Sequence, residues 1–153
     1  MSMLLKQREF CRVMDIPAPS TPTVPNEDQL ALARKLIYEE FNELVHELDE
    51  IEKIITDSTM SAGPKEALAH SYLQDATAEA ADLVYVVCQF CNMFGLPLDV
   101  MYNAIHIANM KKIDPESGKV RKRADGKILK PKDWQPAQLT RIYLNARTGS
   151  VVV

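Results

Sequence analysis

From Glu27 to Thr56, apolar side chains recur at spacings of three, four or seven residues. Residues three and four apart share one face of an α-helix, so this spacing predicts a single long helix with an apolar stripe. Asn26 followed by Gln29 resembles the capping pair that opens such a helix. We expect the stripe to face the core of an all-α bundle of four or five helices. Its members are Leu30, Ile37, Phe41, Leu44, Leu48, Ile51 and Ile55.

The flanking segments complete the predicted bundle. Four prolines between Ile16 and Pro25 predict extended chain there. A second long helix is expected from about Lys65 to Phe94, and because it is apolar nearly all round from Ala76 we expect it to be central and buried. The boundaries within one domain, 1–153, are an N-terminal helix at 1–14, a Pro-rich connector at 15–26, the main helices at 27–112 and a basic loop and tail at 113–153. Within these, a third helix runs from Pro97 to about Lys112, Ser117-Gly118 and Asp125-Gly126 mark turns, and a last short helix can dock after Trp134.

Composition bounds the class and the location of the protein. The 153 residues are 46% hydrophobic and 25% charged, as in ordinary soluble globular proteins. No apolar run reaches membrane-spanning length, and charged residues interrupt the N-terminus where a signal peptide would be apolar. Three cysteines are an odd set with no disulfide framework. We therefore expect a cytoplasmic protein with no membrane partner.

The net charge of −3 hides an asymmetry along the chain. Residues 111–132 contain nine basic and three acidic side chains, a net of +6, so the rest of the chain carries −9. An acidic body with a basic late segment suits a site that holds cations on one side and an anion on the other. A solvated basic loop is the alternative, and charge alone leaves both open.

Two acidic pairs lie on the two long helices. Glu40 and Glu43 share a face of the first helix, and Glu79 and Asp82 share a face of the second, because each pair is three residues apart. The second pair lies in an otherwise apolar segment, and two unpaired carboxylates there would repel each other and lose hydration. Lysine and arginine are absent from 71–110, so a metal ion is the natural counter-charge. All-carboxylate ligation suits Mg²⁺, with Mn²⁺ as a substitute, rather than zinc.

These residues also have other interpretations. Taken alone, the acidic side chains of the first helix favour a solvated face, and Glu79 and Asp82 have the alternative of a helix edge that reaches solvent. Glu43 and His46 form an ExxH pattern, which di-iron bundles use twice, but the second helix has Asp82 where a histidine is required. Cys88 and Cys91 form a lone CxxC in an apolar helix, which favours buried thiols over redox or metal chemistry.

Four ordered blocks give the chain a family resemblance. They are Glu-Glu-Phe-Asn-Glu-Leu, Glu-Ala-Ala-Asp-Leu-Val-Tyr, His-Ile-Ala-Asn-Met-Lys-Lys and Lys-Arg-Ala-Asp-Gly-Lys-Ile-Leu-Lys-Pro-Lys-Asp-Trp. The first two resemble the ExxE…ExxD signature of the all-α NTP pyrophosphohydrolase superfamily, which includes MazG, dimeric dUTPases and phosphoribosyl-ATP pyrophosphohydrolases. The likeness runs from about Arg8 through Gln135, and the last block resembles the MazG-like branch related to phosphoribosyl-ATP pyrophosphohydrolase. The spacer of 35 residues between Glu43 and Glu79 is on the long side for that superfamily.

The resemblance implies roles residue by residue. Glu40, Glu43, Glu79 and Asp82 match the metal-ligand positions, and Glu39 matches a candidate for orienting or deprotonating the attacking water. The residues that match positions near the phosphate chain are Asn109, Lys112, Lys127 and Lys130. The implied reaction is magnesium-dependent hydrolysis of an NTP or dNTP between the α and β phosphates, giving nucleoside monophosphate and pyrophosphate.

The sequence leaves two rival functions open and indicates one protein partner. The enzymatic rival is phosphoribosyl-ATP hydrolysis, which the residues do not exclude. The non-enzymatic rival is a helical dimerisation or nucleic-acid-binding module that uses the basic segment, but it leaves the carboxylates of the apolar helix unexplained. We also expect a homodimer, because the two long helices carry more apolar surface than one small bundle buries. The base and sugar of the nucleotide are not determined by the sequence.

Overall fold

The computed structural model describes residues 2–149. Within them the regular secondary structure is helical, apart from an isolated β-bridge between Lys122 and Ile128. The predicted all-α class with four or five helices is confirmed. The closing residues predicted as a tail, 150–153, lie outside the described part. The helices are α1 (Met3–Val13), α2 (Glu27–Thr56), α3 (Ala62–Met93), α4 (Leu98–Met110) and α5 (Leu139–Thr148).

The described chain divides into two compact units. The first contains the N-terminal residues through Pro19 together with Thr23–Phe94, and the second contains Ser20–Pro22 and the chain from Gly95 onward. Helices α1, α2 and α3 therefore belong to the first unit and α4 and α5 to the second. The single domain expected over 1–153 stays a prediction.

In the first unit, α2 begins as the sequence predicts. The side chain of Asn26 accepts a hydrogen bond from the Gln29 backbone N–H at 2.8 Å, and the Gln29 side chain accepts one from the Asn26 N–H at 3.0 Å. This reciprocal pair satisfies two N–H groups that the first helical turn leaves without partners. The short turn after Asp57 returns the chain, and α3 packs along α2.

Helix α1 is fixed to α3 by a buried amide pair. Asn92 donates hydrogen bonds from Nδ2 to the Gln7 Oε1 at 2.7 Å and to the Leu4 carbonyl at 3.0 Å. Gln7 and Cys11 are fully buried, and the Phe10 ring meets the Tyr85 ring edge-on at 5.6 Å. Because a buried amide without a partner is costly, this pair specifies how α1 and α3 pack.

The two long helices are less buried than the sequence predicts. Along α2 the predicted stripe is only partly covered: Leu30, Phe41 and Leu48 are between 49% and 50% exposed, whereas Ala33 and Ile54 are buried. On α3 the expectation of an all-round buried helix is wrong for the middle of the helix, where Val84 is 40% and Tyr85 37% exposed. Two neighbouring helices cover only part of an apolar circumference, so one face of each remains uncovered.

The second unit contains α4, α5 and the basic segment. Helix α5 packs on α4, and Ala108 and Ile142 are buried. The predicted turns are confirmed by the positive φ angles of Gly118 and Gly126, 63° and 85°, a conformation that favours glycine. Backbone hydrogen bonds from Leu129 to Arg121 and from Arg123 to Lys127, both 2.8 Å, close a short hairpin between these residues.

In the described part of the chain, no helix taken singly has both the length and the apolar character needed to cross a membrane; α3 and α4 meet those criteria only jointly, as a bent pair.

Candidate functional site

Three carboxylates from two helices meet in the first unit. Glu40 of α2 and Glu79 and Asp82 of α3 each offer one oxygen, and these oxygens lie within 4.8 Å of one another. Glu40 and Glu79 are half-buried and Asp82 is exposed. The structure thus brings together three of the four metal ligands that the resemblance implies.

The packing of α2 on α3 explains why these side chains meet. Ala33 lies two turns before Glu40, and Ala76 lies one turn before Glu79; both alanines are buried, at 5% and 7% exposure. Small side chains at these positions let the two helices approach closely, and the intervals of three and seven residues keep each carboxylate on the face of its buried alanine.

The electrostatics of the cluster include Glu43 as a fourth member. Desolvation by burial, followed by the charges of Glu43, Asp82 and Glu40, raises the pKa of Glu79, and side-chain hydrogen bonding with Glu43 raises it further. Desolvation, followed by the charges of Glu43, Asp82 and Glu39, raises the pKa of Glu40. Glu40 and Glu79 are therefore harder to ionise than isolated carboxyl groups, which is the condition that a bound cation relieves.

Glu39 lies at the edge of this cluster. Its carboxylate is ion-paired with Lys35 at 3.5 Å, and its side chain is 48% exposed. It is close enough for its charge to raise the pKa of Glu40, but it is not one of the three converging ligands. Its implied role toward the attacking water stays a prediction.

The donor set fits a hard divalent cation. All the converging atoms are carboxylate oxygens, which Mg²⁺ and Mn²⁺ prefer. Lysine and arginine are absent from 71–110, so α3 from residue 71 onward supplies no positive side chain to balance the cluster. The arrangement is therefore chemically suited to a hard divalent cation, the kind of ion that phosphate chemistry uses.

The residues implied for phosphate binding lie in the second unit. Asn109 is exposed near the end of α4, and its carbonyl accepts a hydrogen bond from the Lys112 backbone N–H at 3.0 Å. Lys112 is half-buried, whereas Lys127 and Lys130 are exposed on the basic segment. Their action on phosphate stays a prediction.

Sequence reasoning gave no role to Trp134 or to the Gln7–Asn92 pair. The indole of Trp134 has the ammonium of Lys130 over its ring at 4.1 Å and that of Lys112 at 5.9 Å. In the sequence, Trp134 could have been recognised as the aromatic residue among many lysines. Asn92 could have been recognised as a polar residue inside an apolar helix.

Comparison with known families places this site in context. The family model described as phosphoribosyl-ATP pyrophosphohydrolase matches residues 7–109, which is about two thirds of the chain. The chain belongs to this family. The family is part of the MazG-like all-α NTP pyrophosphohydrolase superfamily, so the chain is a pyrophosphohydrolase, a hydrolase that acts on phosphoric anhydrides. None of the curated proteins compared with the chain is similar enough to count as a match.

The extent of the family match separates the two groups of residues. Residues 7–109 include the carboxylates Glu40, Glu43, Glu79 and Asp82 and end at Asn109. The basic segment that follows lies outside the matched range. The phosphate-binding roles of Lys112, Lys127 and Lys130 are therefore supported only by the geometry of the second unit and by the sequence resemblance, and not by the family match.

The two cysteines of the CxxC pattern are buried at 4% and 6% exposure, and neither belongs to the carboxylate group. Burial, followed by the charge of Cys88, raises the pKa of Cys91 to about 11. Since the thiolate is the reactive form, we expect iodoacetamide at pH 8 to leave Cys91 unmodified in the native protein and to label it in 6 M guanidinium. Peptide mass spectrometry measures both states. Rapid native labelling of Cys91 would contradict the assignment as an inert core thiol.

Proposed function

We propose that this pyrophosphohydrolase cleaves a nucleoside triphosphate, NTP or dNTP, between the α and β phosphates in a magnesium-dependent reaction. The products are nucleoside monophosphate and pyrophosphate. The observation that carries the proposal is the convergence of oxygens from Glu40, Glu79 and Asp82 within 4.8 Å. The family supplies the reaction class, and the oxygen-only donor set supports Mg²⁺, with Mn²⁺ as a substitute.

In the proposed mechanism, Glu40, Glu43, Glu79 and Asp82 would hold the cation. A bound Mg²⁺ would supply positive charge to offset the charge that develops on the phosphate oxygens and would make water easier to deprotonate. Glu39 orients the attacking water and accepts its proton, which requires its exposed ion pair with Lys35 to open. The water oxygen forms a new bond to the α phosphorus, the bond from that phosphorus to the bridging oxygen breaks, and pyrophosphate leaves with the bond electrons. Asn109, Lys112, Lys127 and Lys130 bind the phosphate chain.

Phosphoribosyl-ATP is the second candidate substrate, because the matching family carries that name. The bond broken is of the same type, so the carboxylate cluster serves either substrate equally. A non-enzymatic dimerisation or nucleic-acid-binding module is less well supported, because it gives the cluster no task.

A substrate panel tests this proposal. The eight common NTPs and dNTPs, dUTP and phosphoribosyl-ATP are each incubated with the protein and Mg²⁺, and pyrophosphate is measured. We expect release from at least one triphosphate, and loss of that release in EDTA. Release from phosphoribosyl-ATP alone would contradict the triphosphate proposal and support the alternative. Absence of release from the whole panel would contradict both.

We also propose a cytoplasmic homodimer. Three cysteines are an odd set with no disulfide framework in the sequence, which suits a reducing compartment. The uncovered apolar side chains of α2, including Leu30, Phe41 and Leu48, offer a surface for a second copy of the chain.

Light scattering at micromolar concentration tests the dimer. We expect roughly twice the chain mass of 17.2 kDa. Leu48→Glu places a charge on the uncovered face of α2 and should shift the mass toward one chain. Gln74→Glu, a matched charge change at an exposed position of α3, should not. A wild-type monomer would contradict the proposal.

A further inference from the structure

The single tryptophan of the chain holds two lysines at one ring. The ammonium nitrogen of Lys130 lies 4.1 Å from the centroid of the Trp134 ring, and that of Lys112 lies 5.9 Å from it. Both distances fall within the range in which a cation is attracted to an aromatic face. Because both are measured to the same centroid, the two ammonium nitrogens are at most about 10 Å apart.

The indole is itself anchored, so the lysines gather at a fixed point. Trp134 Nε1–H donates a hydrogen bond to the Ala108 carbonyl at 2.6 Å, and Ala108 is buried in α4. Lys112 follows the same helix, whereas Lys130 comes from the segment after the hairpin. The ring therefore joins two parts of the second unit that are 18 residues apart in sequence, as the numbering shows.

Among residues 2–149, no carboxylate forms an ion pair with either lysine. The ion pairs of the described residues are Lys35–Glu39, Lys53–Glu50 and Arg123–Asp125, and they do not include Lys112 or Lys130. Two unpaired ammonium groups held near each other repel, and an anion that contacts both relieves this repulsion.

We propose that Trp134 is a positioning residue that gathers Lys112 and Lys130 into a clamp for a polyphosphate anion. The inference rests on the proposed function in one respect: the anion is the phosphate chain of the substrate or the pyrophosphate product. Trp134 contacts the lysines rather than the reacting atoms, so it sets the affinity for the anion and leaves the chemical step unchanged.

Intrinsic fluorescence tests the clamp without catalysis, because all tryptophan emission comes from Trp134. Sodium pyrophosphate is titrated into the protein in EDTA. We expect a saturable emission change as the anion binds to the two ammonium groups that are held at the ring. Lys130→Gln and Lys112→Gln should each weaken the apparent affinity for pyrophosphate several-fold, whereas Lys122→Gln, which removes one charge from the same basic segment, should not. No saturable change, or equal losses in all three variants, would overturn the proposal.

Substitution of the ring supplies the second measurement. Trp134→Leu should raise the Kd for pyrophosphate, measured by calorimetry, roughly tenfold, since each exposed cation–π contact corresponds to a few-fold in an equilibrium constant. It should raise KM for the substrate similarly with kcat within about twofold. Trp134→Phe, which keeps a ring face, should recover part of the affinity. Lys130→Gln should raise the Kd for pyrophosphate by a smaller factor in the Trp134→Leu background than in the wild type, because the ring no longer positions that lysine.

The outcomes separate the clamp from the proposed function. If the protein hydrolyses nucleotides but Trp134→Leu keeps the wild-type Kd and KM, the clamp is wrong and the function stands. If pyrophosphate binds through Lys112 and Lys130 but no triphosphate is cleaved, the clamp stands and the function is wrong. Circular dichroism of each variant identifies loss of folding, and in that event the lysine variants, which retain Trp134, decide the question by fluorescence.

Discussion

Glu79→Gln and Asp82→Asn should each reduce kcat/KM by roughly a hundredfold or more, which exceeds the loss expected when a group that only supports a ligand is removed. Both substitutions preserve side-chain size and replace one of the three converging carboxylates with a neutral amide. Glu40→Gln should behave in the same way, because its oxygen lies in the same group. Steady-state kinetics at saturating Mg²⁺ measures the effect.

Glu66→Gln is the matched control for these variants. It is the same chemical change on the same helix, at an exposed position outside the carboxylate group. We expect wild-type kinetics for Glu66→Gln. If Glu79→Gln retained more than about a tenth of the wild-type kcat/KM at every Mg²⁺ concentration, the cluster would not be the catalytic metal site.

Millimolar Mg²⁺ or Mn²⁺ should raise the melting temperature of the protein. A cation that binds only the folded arrangement adds about 2.7 kcal/mol to the free energy of unfolding at a hundredfold excess over its Kd. For a domain of this size that corresponds to roughly 5–10 °C. Differential scanning calorimetry in EDTA and then with Mn²⁺ measures the shift.

In the metal-free protein, removing a charge from the carboxylate cluster should not destabilise the fold, whereas a substitution in an ordinary core usually does. Burial and neighbouring charges raise the pKa values of Glu40 and Glu79 above 4.5 in the folded state. Just above pH 4.5 the folded chain therefore binds more protons than the unfolded chain. The free energy of unfolding should fall as pH rises from that value through the raised pKa values of Glu40 and Glu79. Asp82→Asn removes a charge that raises both pKa values, so its metal-free form should be at least as stable as the wild type, and its metal-induced shift should shrink.

Two results would contradict this linkage. One is an unchanged wild-type melting temperature with metal. The other is a strongly destabilised Asp82→Asn in EDTA, which would give Asp82 an ordinary hydrogen-bonding role. Glu66→Gln should show the full wild-type shift and serves again as the control.

Local sequence signals were sufficient to predict the helices. The Asn26–Gln29 pair marks the start of α2 because its side chains satisfy the free backbone groups of that turn. Prolines and glycines mark the segments between helices because they restrict or release the backbone. The convergence of Glu40, Glu79 and Asp82 was also predictable, since the resemblance to the ExxE…ExxD signature placed these carboxylates at metal-ligand positions on the two long helices.

Features that depend on how elements pack were not predictable in the same way. Periodicity shows that Leu48 and Val84 are on apolar faces, but it does not show which part of a face another helix covers, and both are substantially exposed. The contact of Lys112 and Lys130 with Trp134 joins residues that are distant in sequence and brought together by the fold of the second unit. The sequence resemblance suggested lysines near phosphate but gave no position for the ring.

The products of one reaction test the central claim most directly. A triphosphate that is active in the panel is incubated with the protein and Mg²⁺, and the products are separated by anion-exchange chromatography. We predict nucleoside monophosphate and pyrophosphate in equal amounts, with both products lost in EDTA and in Glu79→Gln. Nucleoside diphosphate and orthophosphate, or equal product formation by Glu79→Gln, would contradict the account of a carboxylate-held metal that directs cleavage between the α and β phosphates.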